Sequence, residues 1–308
     1  MNQLSKSKYF KRDFLNNQKL IILSVTKRCN LRCRYCRTND AWYDALGQKS
    51  AVLDLSKEKW AKLLDVYRSA NVGEILITGG EPAEYPLIKE FIFFLSENKI
   101  RFSIHTNGIS KKWSGIFIFL KKNNLQPDIH LSTELFEETQ REMRGCELPI
   151  QFITKAKKLG ILLELKINLH QLLLPHLDQL RANLYSWRGK GVDSIFFQPI
   201  APLGNDFPTG LELDNSFVSF LLKLKQLKSE DPILKKIIRK SEIGLDTIIS
   251  FIDGSSLYKK VAKKCNVYNQ IIFLDPNLQM LNCKSLWDRE KNASCVDIFD
   301  FICCGFQP

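Results

Sequence analysis

Three cysteines lie within eight residues of one another near the start of the chain. The stretch SVTKRCNLRCRYCRTN at 24–39 places Cys29, Cys33 and Cys36 with three and then two residues between them. A structural zinc site normally takes four ligands from two paired motifs, and no matching second pair lies close by. An iron–sulfur cluster held by three thiolates leaves one iron open for a ligand that is not part of the protein. The spacing therefore favours a 4Fe-4S cluster over a zinc site or a disulfide framework.

The composition predicts a folded, cytoplasmic protein. The 308 residues are 44% hydrophobic and 25% charged, enough to bury the core of one barrel-sized domain or of two smaller ones. No run of about 18 uncharged apolar residues exists, and the basic N-terminal stretch lacks the apolar core of a signal peptide. We therefore expect no membrane association. Because the cytoplasm is reducing, the nine cysteines are better interpreted as metal ligands or reactive thiols than as disulfides.

The charge balance bears on the partners. A formal net charge of +12 favours anionic partners: an acidic peptide, a phosphorylated small molecule or nucleic acid. The lysines are scattered, however, and we interpret most of them as solvated helix faces. The chain has no recognisable RNA-binding module, so nucleic acid is not the expected partner.

Positioning such residues requires a scaffold, and the hydrophobic pattern predicts one. Short β-branched or aromatic runs alternate with stretches of helical spacing, which is typical of βα units around a parallel sheet. The predicted strands are 20–26, 74–78, 100–105, 128–132, 162–168 and 194–198, and the predicted helices are 56–70, 86–98, 111–122, 149–159 and 175–188. A loop rich in proline and glycine at 201–212 ends this unit, and helices over 214–243 and a hairpin at 271–281 follow.

These elements predict an α/β fold, a partial (β/α)6 TIM-like barrel with a parallel sheet and a small C-terminal region of helices and a β-hairpin. The predicted boundaries are an N-terminal extension at 1–19, the barrel at 20–212 and the C-terminal region at 213–308. In the hairpin, Asn277 is the residue expected to tolerate the left-handed conformation of the turn.

The unusual residues follow the predicted strands, at the carboxyl ends where parallel sheets place their working residues. The cysteines follow the first strand, GGEP (Gly79 to Pro82) follows the second, and TNG (Thr106 to Gly108) follows the third. The last three strands end in Ser132, in Asn168, and in Gln198 with Pro199. His105, at the end of the third strand, is interpreted as a core histidine.

These residues resemble the radical S-adenosylmethionine (SAM) superfamily, whose CxxxCxxC signature is filled by Cys29, Cys33 and Cys36, with the usual aromatic residue at Tyr35. The resemblance extends to GGEP and to the strand order. It implies a 4Fe-4S cluster whose open iron is chelated by the amino and carboxylate groups of SAM. It also implies an electron transfer that breaks the C5'–S bond and gives a 5'-deoxyadenosyl radical that takes hydrogen from a substrate.

The resemblance also implies roles for single residues toward SAM. Gly79 and Gly80 would let the backbone approach the ligand closely, and Glu81 would compensate its ammonium. Tyr35 is predicted to lie beside the cluster and the adenine, and Gln198 at the adenine and substrate floor. Asn107 and Ser132 are predicted to contact the ribose, and Arg144 the methionine carboxylate. The remaining predicted cofactor contacts are Pro82, within GGEP, and Asn168, a polar contact to SAM. For a lone Ser, Asn or Arg at a strand end, a satisfied polar cap is an equally open interpretation.

A second group of cysteines lies near the C-terminus and spans the predicted hairpin. This arrangement resembles the SPASM or twitch extension, in which such a hairpin begins an auxiliary 4Fe-4S site, and it predicts one auxiliary cluster. The candidate ligands are Cys265, Cys283, Cys295, Cys303 and Cys304, with Cys303 preferred over its neighbour. Buried free thiols are the alternative. Cys146 is a candidate hydrogen-atom donor to a substrate radical, with an ordinary packed cysteine as the alternative.

The first hypothesis for function is a radical SAM enzyme that abstracts hydrogen from a peptide or small natural-product substrate, giving oxidation, crosslinking or epimerisation. It would need a reducing partner such as flavodoxin or ferredoxin, and a separate carrier protein if the substrate is a peptide. The alternatives are a nucleotide rearrangement like that of the GTP cyclase of molybdenum-cofactor biosynthesis, which several motifs also resemble, an RNA-modifying enzyme, and a non-catalytic electron carrier.

Overall fold

The chain alternates strands and helices from Lys19 onward. The computed structural model describes residues 19–36, 54–200, 210–211, 213–240, 242–252, 271–278 and 280–281. Its strands are β1 (Lys19–Ser24), β2 (Val72–Thr78), β3 (Phe102–Thr106), β4 (Asp128–Ser132), β5 (Leu163–Leu169), β6 (Ser194–Pro199), β7 (Ile271–Leu274) and β8 (Met280–Leu281). Its α-helices are α1 (Lys59–Ser69), α2 (Ile88–Glu97), α3 (Trp113–Lys122), α4 (Glu137–Arg144), α5 (Ile150–Lys158), α6 (Leu180–Gly189), α7 (Val218–Glu230), α8 (Pro232–Ile237) and α9 (Glu242–Ile252).

The strands form one twisted sheet in the order β6-β5-β4-β3-β2-β1-β7-β8. Every neighbouring pair from β6 through β7 is parallel, and β8 runs antiparallel to β7. Such parallel pairing requires crossover connections, which the helices between the strands supply. The predicted partial barrel with a parallel sheet is confirmed.

The hairpin at 271–281 contributes a strand that the sequence pattern does not predict for the barrel. Its first arm, β7, pairs in parallel with β1, with Leu20 opposite Ile271 and Leu23 opposite Leu274. This pairing covers the edge of β1, whose backbone groups would otherwise lack a ladder partner. The barrel sheet thus has seven parallel strands rather than six.

The hairpin turn also differs from the prediction. Leu278, with φ of 60°, adopts the left-handed conformation, and Asn277 does not. The Asp275 side chain accepts a hydrogen bond from the Asn277 amide (2.8 Å), and the Asn277 side chain accepts one from Lys59 Nζ (2.6 Å). Asn277 is therefore held by side-chain contacts, and the turn places its strained position one residue later.

Two helical segments differ from their predicted bounds, and both bear on the site. Helix α4 is absent from the prediction, because its sequence EETQREMR is almost entirely polar. It ends at Gly145, which has φ of 66°, as expected for a residue that terminates a helix. The helix predicted at 175–188 begins instead as a 3-10 segment at Gln171–Gln179 that contains Pro175, and continues as α6.

The core lies between the sheet and the helices, and the two faces of the central strands differ in character. In β5 every residue is buried, with Leu163, Leu165 and Ile167 on the helix-facing side. The alternating residues Glu164 and Lys166 lie on the opposite, concave face, which we call the lumen. No helix in the described part of the chain is long and apolar enough to cross a membrane.

Candidate active site

The loop after β1 carries the three cysteines, and its root is firmly anchored. Thr26, which is fully buried, donates from Oγ1 to Asp54 Oδ1 (2.6 Å) and accepts from the Arg28 amide (3.0 Å). The Arg28 guanidinium forms an ion pair with the same carboxylate, with Nε 2.9 Å from Asp54 Oδ2. The chain is thus fixed immediately before Cys29.

The three cysteines are partly buried. The Cys29 sulfur accepts a hydrogen bond from the Leu31 amide (3.4 Å), and the Cys36 amide donates to the Cys33 carbonyl (3.0 Å). Burial raises the pKa of Cys29, and it raises that of Cys33 to about 12 although the Arg144 charge acts in the opposite direction. Without a metal the Cys29 and Cys33 thiols therefore hold their protons, which they would lose on binding iron.

The glycines of GGEP contact the cysteine loop. The Gly80 amide donates to the Thr26 carbonyl (2.7 Å), and the Glu81 amide donates to the Arg28 carbonyl (2.7 Å). A Cβ on Gly79, which has φ of 147°, would lie 2.3 Å from the Thr26 oxygen, and one on Gly80 would lie 2.2 Å from the Arg28 oxygen. The close approach that the glycines permit is therefore between two loops of the chain, while their contact with SAM stays a prediction.

Glu81 is fully buried and binds four protein donors. Its carboxylate accepts from Thr106 Oγ1 (2.6 Å), the Asn107 amide (2.8 Å), the Ala83 amide (3.1 Å) and Trp113 Nε1 (3.2 Å). Burial raises its pKa, against the effect of these donors. The geometry gives Glu81 a structural role, because it ties the loop after β2 to the loop after β3. Its role as the counter-charge of the SAM ammonium stays a prediction. The next residue, Pro82, is buried at the start of a 3-10 turn, Pro82–Glu84.

Asn107 connects the TNG loop to the cysteine loop. Its side-chain amide donates to Asn30 Oδ1 (2.9 Å) and lies 3.9 Å from the Cys29 sulfur, and its Oδ1 accepts from the Ile109 amide (2.8 Å). These contacts fix the position of the cysteine loop. The predicted contact of Asn107 with a ribose is untested.

Behind the cysteine loop, one buried carboxylate accepts hydrogen bonds from three side chains. The sequence analysis does not predict this carboxylate. Glu134, fully buried, accepts from Tyr35 OH (2.8 Å), Arg144 Nε (2.9 Å) and His170 Nε2 (3.0 Å). The Arg144 guanidinium lies 5.3 Å from the centre of the Tyr35 ring, and its buried Nη2 has no hydrogen-bond partner among the described residues. The helix that carries Arg144 also contacts the cysteine loop, because the Arg34 amide donates to the Met143 carbonyl (2.9 Å).

The remaining predicted contacts line the lumen. His105 Nε2 lies 2.5 Å from Ser132 Oγ, and Gln198 Nε2 donates to Asn168 Oδ1 (2.9 Å). His105, which the sequence pattern predicts to be a core histidine, lies mostly buried on the lumen face. The structure thus pairs these strand-end residues with one another, and none of their predicted contacts with SAM is tested.

An ionic cluster lower in the lumen is absent from the sequence analysis. Glu164 lies 3.0 Å from His130 Nδ1, 2.6 Å from Lys166 Nζ and 3.7 Å from Arg239 Nη1. Lys166 Nζ also lies 4.0 Å from the centre of the Phe196 ring. The signal available in the sequence was the polar residues at alternate positions of the fourth and fifth strands.

Cys146 lies just beyond α4, partly buried, and its sulfur accepts a hydrogen bond from Gln140 Nε2 (3.3 Å). Burial raises its pKa, so the thiol is protonated. Its role as a hydrogen-atom donor is untested. The C-terminal candidates Cys265, Cys283, Cys295, Cys303 and Cys304 lie outside the described residues.

Two observations test whether a cluster and SAM fit this site. Three thiols stand on one anchored loop, and within the described residues no three metal-binding side chains converge on a single ion. A cubane fits this donor set, because each thiolate would bind a different iron. In addition, Arg144 is 5% exposed and keeps an unused N–H, which suits an anionic ligand such as a carboxylate.

Comparison with known proteins agrees with this geometry. Residues 23–169 match the family model described as the radical SAM superfamily. The mitochondrial GTP 3',8-cyclase of Arabidopsis thaliana is 38% identical over 90 residues, which are 29% of this chain and 22% of that protein. Molybdenum cofactor biosynthesis protein 1 of Dictyostelium discoideum is 27% identical over 246 residues, 77% of this chain and 36% of that protein. The matches thus span between a fifth and two fifths of these relatives.

The fold is similar to that of SuiB from Streptococcus suis. The SuiB structure bound to S-adenosylmethionine gives a TM-score of 0.65 at 15% identity, covering 87% of this chain and 61% of SuiB. A structure of SuiB bound to its precursor peptide SuiA gives 0.62 at 16% identity, covering 86% of this chain and 59% of SuiB. At such identity the likeness concerns the fold alone. Over residues 23–169, just under half of its length, the chain is thus similar to the radical SAM superfamily, whose fold implies a 4Fe-4S cluster and S-adenosylmethionine.

Proposed function

We propose that this protein is a radical SAM enzyme that cleaves S-adenosylmethionine reductively and removes a hydrogen atom from a peptide or small natural-product substrate. The observation that carries the proposal is the loop with three cysteines, held at the carboxyl edge of the sheet beside the backbone of Gly79 and Gly80. When bound, the cluster and SAM supply the electron and the radical that this chemistry requires.

The residues of the chain have distinct parts in this proposal. Cys29, Cys33 and Cys36 would hold three irons of the cluster. Arg144, with its unused N–H, would bind the methionine carboxylate of SAM by a charge-assisted hydrogen bond. Asn107 holds the cysteine loop through its hydrogen bond to Asn30. We expect the substrate to bind in the lumen.

The substrate class follows from less specific observations. The formal charge of +12 suits an acidic peptide or another anion, and the fold is similar to that of SuiB, one structure of which holds a precursor peptide. A reductant such as flavodoxin or ferredoxin and a separate peptide carrier are the proposed partners. An auxiliary 4Fe-4S cluster on the C-terminal cysteines would accept an electron or bind substrate.

Nucleotide rearrangement is the second candidate, because a specific observation favours it. A stretch of 90 residues is 38% identical to the mitochondrial GTP 3',8-cyclase of Arabidopsis thaliana. Incubation of the reduced protein with GTP and SAM, followed by mass measurement of the products, distinguishes the two candidates. A GTP-derived product that carries the mass of a cyclised nucleotide would favour the second.

The test of the main proposal uses anaerobically reconstituted protein. Addition of SAM should change the electron paramagnetic resonance (EPR) spectrum of the reduced cluster, and incubation with dithionite should release 5'-deoxyadenosine and methionine. The Cys33→Ala variant should show neither effect. A cluster whose spectrum is indifferent to SAM would refute the proposal and leave an electron carrier as the better interpretation.

A further inference from the structure

Glu134 joins three elements of the site that are distant in sequence. Its donors come from the cysteine loop (Tyr35), from the last residue of α4 (Arg144) and from the residue after β5 (His170). Glu134 and His170 are both fully buried, and Arg144 is 5% exposed. Although burial acts in the opposite direction, the Arg144 charge and His170 hold the pKa of Glu134 below its usual value, so the carboxylate is ionised.

The network fixes the orientation of Arg144. Glu134 Oε1 binds Nε of the guanidinium, and His170 occupies the other carboxylate oxygen, so the carboxylate cannot turn. The Tyr35 ring lies against the guanidinium, at 5.3 Å from its centre. The Nε side of the guanidinium thereby binds the protein, whereas Nη2 is buried and has no partner in the part of the chain that the structure describes. A buried N–H that lacks an acceptor is costly, which indicates that a ligand completes it.

We propose that Glu134 and His170 are positioning residues for S-adenosylmethionine. Through Glu134, they hold Arg144 so that its unused N–H is available to the methionine carboxylate, and they hold Tyr35 between the ligands Cys33 and Cys36. The inference rests on the proposed function. His170 acts at a distance from the cofactor, through Glu134 alone, and this separates its role from that of a direct contact.

His170 is the side chain to change, because its removal keeps both the Glu134 charge and Arg144. In His170→Leu, Glu134 Oε2 loses its donor and the carboxylate can rotate away from Arg144 Nε. His170→Gln can again donate a hydrogen bond from a similar position. The matched control is His176→Leu, since the His176 ring stacks on Phe136 at 4.6 Å and takes no part in the Glu134 network.

The measurement is the SAM concentration that half-completes the change in the EPR spectrum of the reduced cluster, with iron content determined for each variant. His170→Leu should bind wild-type iron and require about tenfold more SAM, equivalent to about 1.4 kcal/mol. His170→Gln should restore most of the affinity, and His176→Leu should match wild type. If His170→Leu does not fold, His170→Asn replaces it, because its shorter amide does not reach Glu134.

The outcomes separate the two proposals. Wild-type affinity in His170→Leu or in His170→Asn overturns the positioning role, as does a His170→Gln variant that is as weak as His170→Leu or a His176→Leu variant that is equally weakened. A wild-type cluster that gives no spectral response to SAM refutes the proposed function itself, and the positioning role with it.

Discussion

At the scale of single residues, the site depends on backbone atoms that come unusually close. Gly80 lies so near the Arg28 carbonyl that any side chain would overlap it, and the same holds for Gly79 and the Thr26 carbonyl. The hydrogen bonds from Gly80 and Glu81 then connect the loop after β2 to the root of the cysteine loop. The position of the thiols is therefore set by a contact that only glycine allows.

Substitution of Gly80 by alanine should displace the cysteine loop. The added methyl group would lie 2.2 Å from the Arg28 oxygen, so the backbone must move, at a cost of about 1–3 kcal/mol in the free energy of unfolding. We expect less iron per chain after anaerobic reconstitution and a lower urea midpoint. Gly189→Ala is the control, because no atom of the described residues lies within 4 Å of its Cβ position, and it should stabilise α6 by about 0.5–1 kcal/mol. Wild-type iron content in Gly80→Ala would contradict this prediction.

At the scale of elements, the inner faces of β3, β4 and β5 bring titratable groups together. Burial lowers the pKa of His105 to about 3, and the neighbouring His130, Lys166 and Arg144 act in the same direction, against Glu164. The unfolded chain has a histidine pKa of about 6.5. Below that value the unfolded state binds a proton that the native state does not, so stability is complete above about pH 6.5 and declines as the pH falls toward 3.

His105 should therefore contribute to acid sensitivity well before the ordinary carboxylates titrate. Between pH 6.5 and 5 we expect its contribution to reduce the free energy of unfolding by up to about 1.4 kcal/mol per pH unit. His105→Gln should show a shallower decline over this range. The measurement is urea unfolding at several pH values for both proteins. Parallel pH profiles would show that the His105 proton is not linked to folding.

At the scale of the whole molecule, the sheet joins two segments that lie far apart in the sequence. β7 is separated from β1 by more than 240 residues, yet it pairs along the full length of its four residues, with Ile21 opposite Ile272 and Ile22 opposite Phe273. The hairpin that lies between Cys265 and Cys283 is thus attached to the strand that leads into the cysteine loop.

Counting iron tests whether the C-terminal cysteines hold a cluster of their own. With Cys29, Cys33 and Cys36 all changed to alanine, the anaerobically reconstituted protein should keep about four irons per chain. The wild-type protein, with both clusters, should bind about eight. A triple variant without iron would show that the C-terminal cysteines do not bind a cluster independently.

The sequence by itself determined the sheet, its six barrel strands and the three-cysteine loop, because apolar runs of the right length and short-range ligand spacing are local properties. It did not predict α4, whose residues are nearly all polar, or the pairing of β7 with β1, which depends on a strand edge far away in the chain. The partners of Glu81 and Glu134 were likewise decided by the tertiary structure. A buried carboxylate takes its donors from whichever loops the sheet brings together, and no spacing within the chain records that choice.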